Sequence, residues 1–481
     1  KTMRRPAALV FGLALAVWPT KTIQAQEAAP ATNPVAPSAA PAPPSTTTPA
    51  IPNTAPAVTK SPTAVTVPVQ GTISKADRER ALGMLDAVMK GIEENYYDPK
   101  LKGLDWDSIH EKAKAKIEES NSLNGALAQI AAAVGTLNDG HTRFVPPYKP
   151  YKLDFGLKYQ MVWSRCFVTR VRPGSDAAAK NVRPGAEVLH VDGIAPSRQN
   201  VFDIDYLVRT LDPREDMTLE LQYPSGERQS VVVKAKVSQQ SALTARFGGG
   251  VRNDMRRRNE NEWHRLRIQV QQYGDVSIVK FPEFIYDASD LYELHKKIRN
   301  SSTTIIDLRG NPGGAVDTFK LFTGMFFDTD IKADDTVGRK KTVAEMVKAQ
   351  HHMSYSGKVI VLIDSNSASA AEMFARVMQL EKRGTVIGDL SSGYVMENTW
   401  FPFFSSGVDY GAAITIANLI MKDGKSIEHH GVKPDDVQFP QPTDIEAGRD
   451  PVLAHAAEVA GAKLTPEEAG KLFPYEWPPY D

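Results

Sequence analysis

Three serines, Ser365, Ser367 and Ser369, fall within five residues of the stretch VLIDSNSASAAEMFARVMQ, residues 361–379. Val361, Leu362 and Ile363 read as a short buried strand, while Met373, Phe374, Val377 and Met378 recur at the three- and four-residue steps of one helical face. At such a turn the first helical N–H groups lack internal partners, and the helix dipole favours negative charge. A serine placed there can attack a carbonyl while neighbouring amides receive the oxyanion. A serine at a helix start is also an ordinary N-cap, so partners elsewhere must decide. One candidate base is His141 in LNDGHTRF, residues 137–144, where a loop after Gly140 can present an imidazole to a cleft. A third element, IIDLRGNPGG at residues 305–314, runs a buried strand into a glycine-rich turn. There Gly313 or Gly314 can aim an N–H at a substrate oxygen; Asp307 and Arg309 also suit a purely structural turn.

The rest of the chain must position these groups. Its 481 residues leave room for several domains, and 57 basic against 57 acidic residues give no net charge to attract nucleic acid. The basic run Arg256, Arg257, Arg258 sits among Asn and Glu and reads as a solvated loop. The one cysteine, Cys166, excludes an intramolecular disulfide and a cysteine metal cluster, and the ten histidines, including His351-His352 and His429-His430, show no metal-ligand spacing. No metal and no cofactor are expected. Residues 1–26 have the layout of a secretory signal: two arginines, an apolar core and small residues near Ala25. No later stretch approaches the roughly 20 apolar residues of a membrane span, so the protein is expected to be exported, to the periplasm or outside the cell, and tethered only if the signal stays uncleaved. Residues 27–72, rich in Ala, Pro and Thr, read as a linker.

Helical spacing of Leu85, Val88, Met89 and Ile92, then Ile109, Ala113 and Ile117, then Leu127, Ile130 and Val134 predicts an N-terminal helical bundle over 73–153. Residues 154–237 alternate short strands with Gly/Pro turns, 238–274 connect, and 275–445 alternate strands such as VSIVKF and KVIVLI with helices, predicting an α/β domain. Residues 446–481 remain as a C-terminal extension. The fold class is therefore α+β multidomain. Within the middle region, VRPGSDAAAKNVRPGAEVLHVDG at residues 171–193 resembles a PDZ domain, with two Pro-Gly turns flanking a short helix and an Asp-Gly hairpin turn. That resemblance implies a peptide-binding loop near Phe155, Gly156 and Leu157, with the peptide added as a strand at a sheet edge.

LNDGHT, the PDZ-like region, IIDLRGNPGG, SASAAE and HGVKPD, in that order, resemble the carboxyl-terminal processing (tail-specific) and tricorn-like serine peptidases, from about residue 73 to about 440. The resemblance implies a crotonase-like ββα peptidase core, Ser369 as nucleophile, and an oxyanion hole from the Ala370 N–H and that of Gly313 or Gly314. The processing branch uses a Ser-Lys dyad, but GDLSSGYVMEN places Gly393, Tyr394 and Val395 where its lysine stands, and Lys382 lies too near the serine to replace it. The tricorn-like branch uses histidine and a downstream acid, implying His141 as base and Glu428, in KSIEHHGVKPD, as its partner.

The sequence thus reads as an exported serine endopeptidase or processing peptidase acting on peptides or proteins, with no nucleic acid partner and no transmembrane span after signal cleavage. Its oligomeric state is not encoded legibly. The alternative is a catalytically silent PDZ-containing binding or scaffold protein, for which Tyr394 in place of lysine marks the lost activity.

Overall fold

The computed structural model describes residues 67, 71–239, 266–405 and 407–478. The expected signal, most of the linker, most of the connector and the Arg256–Arg258 run lie outside the described residues. Residues 66–481 fall in one unit by their contacts.

Three helices open the fold: α1 (Lys75–Asn95), α2 (Trp106–Glu118) and α3 (Leu123–Gly135). Each starts on a side chain that accepts an otherwise unpaired amide: Ser74 from Asp77 N, Asp105 from Ser108 N and Ser122 from Gly125 N. Their apolar faces, including Leu85, Val88, Ile92, Ile117, Ile130 and Val134, are buried together. The helices do not close this core alone. Tyr410, Ala412 and Ile414, more than 250 residues downstream, share the cluster, and Gly91 lets α1 approach the Phe403 ring, which would lie 2.7 Å from an added Cβ. After α3, β1 (Arg143–Val145) joins a sheet with the distant strands described below, so the loop carrying His141 is held at both ends.

β2 (Tyr151–Asp154) pairs antiparallel with β8 (Lys236–Gln239) and closes off the middle region. Between them β3 (Leu157–Val162), β4 (Arg165–Val171), β5 (Glu187–Val191), β6 (Asp216–Gln222) and β7 (Arg228–Lys234) form an antiparallel sheet in the order β3-β4-β5-β6-β7. The short helices α4 (Asp176–Ala179) and α5 (Val201–Tyr206) complete this module. Its own apolar core includes Phe155, Val168, Val188, Ile204, Leu219 and Val233. In this order β3 is an edge strand.

The last region is built on a six-stranded sheet. β9 (Gln269–Tyr273) is antiparallel to β10 (Val276–Lys280), and β10, β11 (Thr303–Asp307), β14 (Lys358–Ile363), β15 (Gly384–Gly388) and β18 (Asp436–Val437) run parallel. Intervening are β12 (Ile331–Gly338) and β13 (Thr342–Val347); β16 (Glu397–Ser405) and β17 (Val408–Met421) follow β15. β1 pairs with β17, as do β12 and β16, making the second large sheet.

Helices cover the parallel sheet on both faces. On one side lie α6 (Ala288–Ile298), α7 (Val316–Gly324) and α8 (Ala370–Leu380), where Leu291, Phe322 and Phe374 pack on Ile306, Val361, Ile363 and Val386. On the other, after the short α9 (Pro442–Ala447), lies α10 (Pro451–Val459), whose Val452, Leu453, Ala456 and Ala457 pack on Ile305, Ile360, Leu362 and Ile387. Burial of both faces is why these strands read as unbroken apolar runs rather than as alternations. The expected core boundary at 445 therefore cuts through the fold: α10, read from sequence as part of an extension, is one of the two helical layers. A last turn, α11 (Pro466–Ala469), packs beside it.

Candidate active site

The turn between β14 and α8 is fastened on all sides. Asp364 accepts from Gly310 N at 2.8 Å and Asn366 N at 3.0 Å, and Ala368 N donates to Asn311 O at 2.9 Å. Ser367 Oγ accepts from Asp364 N and donates to Leu308 O, both at 2.9 Å, while Ser365 Oγ donates to Met161 O at 2.5 Å on β3. Both hydroxyls are consumed in shaping the turn and docking it. Ser369 differs. It is only partly buried, and its backbone sits at φ 53°, ψ −121°, a region that L-residues rarely occupy. Gly313 makes that conformation possible: a Cβ there would lie 2.6 Å from Ser369 Cβ and 2.9 Å from Ala370 N, and its φ of 97° also requires glycine.

Glu372 organises the other side of the turn. Its fully buried carboxylate accepts from five donors: Ser369 N, Ser391 Oγ, Ser392 Oγ, Gly393 N and Tyr394 N. Burial pushes its pKa up, opposed by these hydrogen bonds. Ser369 N also donates to Tyr394 O at 2.8 Å. Sequence reasoning missed Glu372 as a site residue, although its place three residues after Ser369 is the spacing of a capping box.

His141 is 2% exposed, and neither ring nitrogen has a hydrogen-bond partner among the described residues. Burial lowers its pKa to about 4; Asp139 opposes this and Arg143 adds to it. Asp139, equally unmarked in the sequence, holds the loop by accepting from His141 N, Thr142 N, Tyr96 Oη and Thr415 Oγ1 at 2.6–3.0 Å. Glu428 is buried beside this loop. It accepts from Gly140 N at 2.6 Å and from Val395 N at 2.7 Å, bonding the backbone next to His141 rather than the imidazole. Burial raises its pKa to about 8, Asp139 and Glu372 adding to the rise while the two backbone donors oppose it.

The fold thus gathers residues from four distant segments: Ser369 with Gly313 and Ala370 in direct approach, and Glu428 against the peptide preceding His141. It does not join His141 to Ser369 or to Glu428 by a side-chain hydrogen bond. Of the two candidate oxyanion glycines, Gly313 already gives its N–H to Asn311 Oδ1 at 2.8 Å, whereas Gly314, at φ 141°, has its Cα pressed on Phe284 O, which an added Cβ would meet at 2.3 Å. Ala370 is the first residue of α8, so its N–H has no acceptor within the helix. Tyr394, at the position of the expected lysine, is buried, and burial together with Asp203, Glu428 and Glu372 pushes its phenol pKa up. It therefore keeps its proton at neutral pH and is no base.

Phe155, Gly156 and Leu157 lie at the start of edge strand β3. Phe155 and Leu157 are buried in the module's core. Gly156 N donates to Asp154 Oδ1 at 2.7 Å and its carbonyl accepts from Arg172 N at 2.7 Å, so its polar groups are engaged within the module. Among the described residues no His/Cys/Asp/Glu group is arranged to hold a metal ion, and no helix is long and apolar enough to cross a membrane.

Residues 275–437 match the family described as Peptidase family S41, and residues 77–122 match the Tricorn protease C1 domain. The chain is 24% identical over 354 residues to carboxy-terminal processing protease CtpA of Bacillus subtilis (strain 168), covering 73% of this chain and 63% of that protein. It is 30% identical over 181 residues to a carboxy-terminal-processing protease of Bartonella bacilliformis, covering 35% and 41%. The chain spans less than two thirds of the length of these relatives. In fold it is similar to the crystal structure of mature CPAF, with a TM-score of 0.59 at 17% identity over 77% of this chain and 95% of the other. It is also similar to the photosystem II D1 C-terminal processing protease, with a TM-score of 0.50 at 17% identity over 82% and 100%. The S41 match contains the Gly313 turn, the Ser369 turn and Glu428, so this region of the chain is similar to peptidase family S41, a family of serine-type peptidases.

Proposed function

We propose that this chain is an exported serine peptidase that hydrolyses peptide bonds in peptide or protein substrates through an acyl-enzyme on Ser369. The observation that carries this reading is the backbone of Ser369: a non-glycine residue held at φ 53°, ψ −121° between a buried strand and a helix. Strain of this kind costs roughly 1–3 kcal/mol and persists where surrounding structure enforces it. Here Glu372, Tyr394 and Gly313 enforce it, while Ser365 and Ser367 remain engaged elsewhere. Ser369 Oγ attacks the carbonyl carbon as His141 takes its proton. The oxyanion forms toward the Ala370 N–H and the Gly313–Gly314 turn. The leaving amine takes the proton back from the imidazolium, and water then hydrolyses the ester by the same route. Because the His141 ring nitrogens are unbonded in this arrangement, the mechanism requires the 138–142 loop to bring the imidazole to Ser369 when substrate binds, a tightening common to unliganded sites. Glu428, beside the same loop and held largely protonated at neutral pH by burial, is the acid whose ionised form stabilises the imidazolium. The relatives named for carboxy-terminal processing support a substrate cut toward its C-terminus. The β3–β7 module is PDZ-like, with β3 as the edge strand that faces the serine turn, and the parallel-sheet region is the crotonase-like core.

A second reading, a binding protein with a silent site, is favoured by the unbonded imidazole alone. Labelling with a fluorophosphonate probe separates the two. The proposed peptidase labels on Ser369; Ser369→Ala abolishes labelling, and Ser367→Ala, if folded, retains most of it. A folded parent that does not label, or labels elsewhere, supports the silent site.

A further inference from the structure

Tyr394 bonds to Ser369 directly and reaches the surroundings of His141 and Glu428 through Gly140 and Val395. Its carbonyl accepts from Ser369 N at 2.8 Å, and its N–H donates to Glu372, which also holds Ser369 N. Its ring presses its Cδ1 edge on Gly140, where an added Cβ would come within 1.9 Å of Cδ1. Gly140 directly precedes His141, and its N–H donates to Glu428. The next residue, Val395, donates to the second oxygen of Glu428. On its remaining side the ring meets Phe202 of α5 edge-on, with centroids 5.4 Å apart and planes at 70°. α5 belongs to the β3–β7 module, so this ring pair is a packed contact between that module and the catalytic loops.

We infer that Tyr394 is a positioning residue that transmits the placement of the β3–β7 module, sensed through Phe202, to Ser369, His141 and Glu428 together. The inference rests on the triad reading above. Its physical basis is that one rigid side chain, pinned by backbone bonds to the serine turn, cannot shift under Phe202 without moving the Gly140 peptide it presses on. Glycine at 140 is required for that approach. A lysine or small aliphatic residue at 394 leaves the same backbone bonds but removes the ring edge packed on Gly140 and the ring contact to Phe202. An edge-to-face pair corresponds to roughly a 2- to 12-fold effect on an equilibrium or rate.

The test uses the full chain and a fluorophosphonate probe, separating the maximal acylation rate from the half-saturating concentration, in Tyr394→Phe, Tyr394→Leu, Phe202→Leu and the Tyr394→Leu/Phe202→Leu double variant. Amide hydrogen exchange of peptides covering residues 138–142 and 369–372 is followed in parallel. Tyr394→Phe keeps the ring and is expected to keep most of the rate. Tyr394→Leu is expected to lower the maximal rate by about tenfold or more, with little change in half-saturation. Phe202→Leu should lower it about 2- to 12-fold and raise exchange at 138–142, although Phe202 lies in another module. The double variant should be no slower than Tyr394→Leu. Multiplying effects in the double variant, or unchanged exchange at 138–142 in Phe202→Leu, would overturn the inference. Absence of labelling in the folded parent would instead overturn the triad reading, and the exchange arm would still decide whether Phe202 is coupled to the 138–142 loop. If Tyr394→Leu does not fold, Phe202→Leu and Tyr394→Phe carry the comparison.

Discussion

At the scale of single residues, Ser369, His141 and Glu428 are displaced from their ordinary states by burial and backbone strain, and two of these displacements have opposite signs in stability. His141, with its pKa lowered from 6.5 to about 4, binds fewer protons folded than unfolded across that interval. Its contribution to stability is lost as pH falls from 6.5 toward 4. Glu428, raised from 4.5 to about 8, binds more protons folded than unfolded, so stability is lost as pH rises through that window. The two slopes oppose each other between 4.5 and 6.5, leaving a fall above 6.5 that Glu428 carries to about 8 and to which Glu283, its pKa raised to about 7 by burial, adds up to that pH. Urea midpoints measured at intervals from pH 6 to 8.5 should decline for the parent and flatten for Glu428→Gln. An unchanged decline in that variant would remove Glu428 as its source. The identities of the candidate residues were legible because serine, glycine and histidine stood at recognisable turns. The residues that restrain them were not: Glu372 and Asp139 gain their roles from donors at positions 391–394, 96 and 415, and no spacing along the chain announces such contacts.

At the scale of elements, the decisive feature is the loop between α3 and β1. Asp139 ties it to α1 through Tyr96 and to β17 through Thr415, and β1 pairs with β17 in register Phe144 to Ala412. Replacing Asp139 by alanine leaves four buried donors without an acceptor, each costing about 1–3 kcal/mol where water cannot reach it. Asp139→Ala should therefore destabilise the fold by about 3 kcal/mol or more in urea titration, and fluorophosphonate labelling should be lost even where the variant remains folded. Retained stability and labelling would show that the loop is held by its strand pairing alone. Helices α1 to α3 were readable from their apolar spacing. That their core is completed by Tyr410, Ala412 and Ile414 was not, because a half-buried strand shows which residues turn inward but not which helix they meet.

Over the whole molecule, the parallel sheet binds residues 269–437 and the helices that follow them into one structure. The runs VSIVKF and KVIVLI read as strands of an α/β domain, yet residues 446–481 read as an appendage, since the helical spacing of Val452, Leu453 and Ala456 does not reveal its partner. In the fold these residues cover Ile305, Ile360, Leu362 and Ile387, and Asp450 pairs with Arg309 at 2.7 Å. Truncation after residue 450 should expose that face, abolish cooperative thermal unfolding and give strong binding of an apolar dye such as ANS. A truncated chain that unfolds cooperatively near the parental temperature would restore the view of an extension.

The β3–β7 module meets the serine turn through Ser365 to Met161 and Asn366 to Gln160, which places β3 beside the turn that carries Ser369. The claim on which all of this converges is that a histidine, not a lysine, activates Ser369. The most direct measurement is the rate at which a fluorophosphonate acylates Ser369 in folded His141→Ala relative to the parent, with the adduct mapped to the peptide spanning residues 361–379. A fall of about three orders of magnitude or more is expected for loss of the base, and a parental rate in that variant would contradict the histidine mechanism and require another base for Ser369.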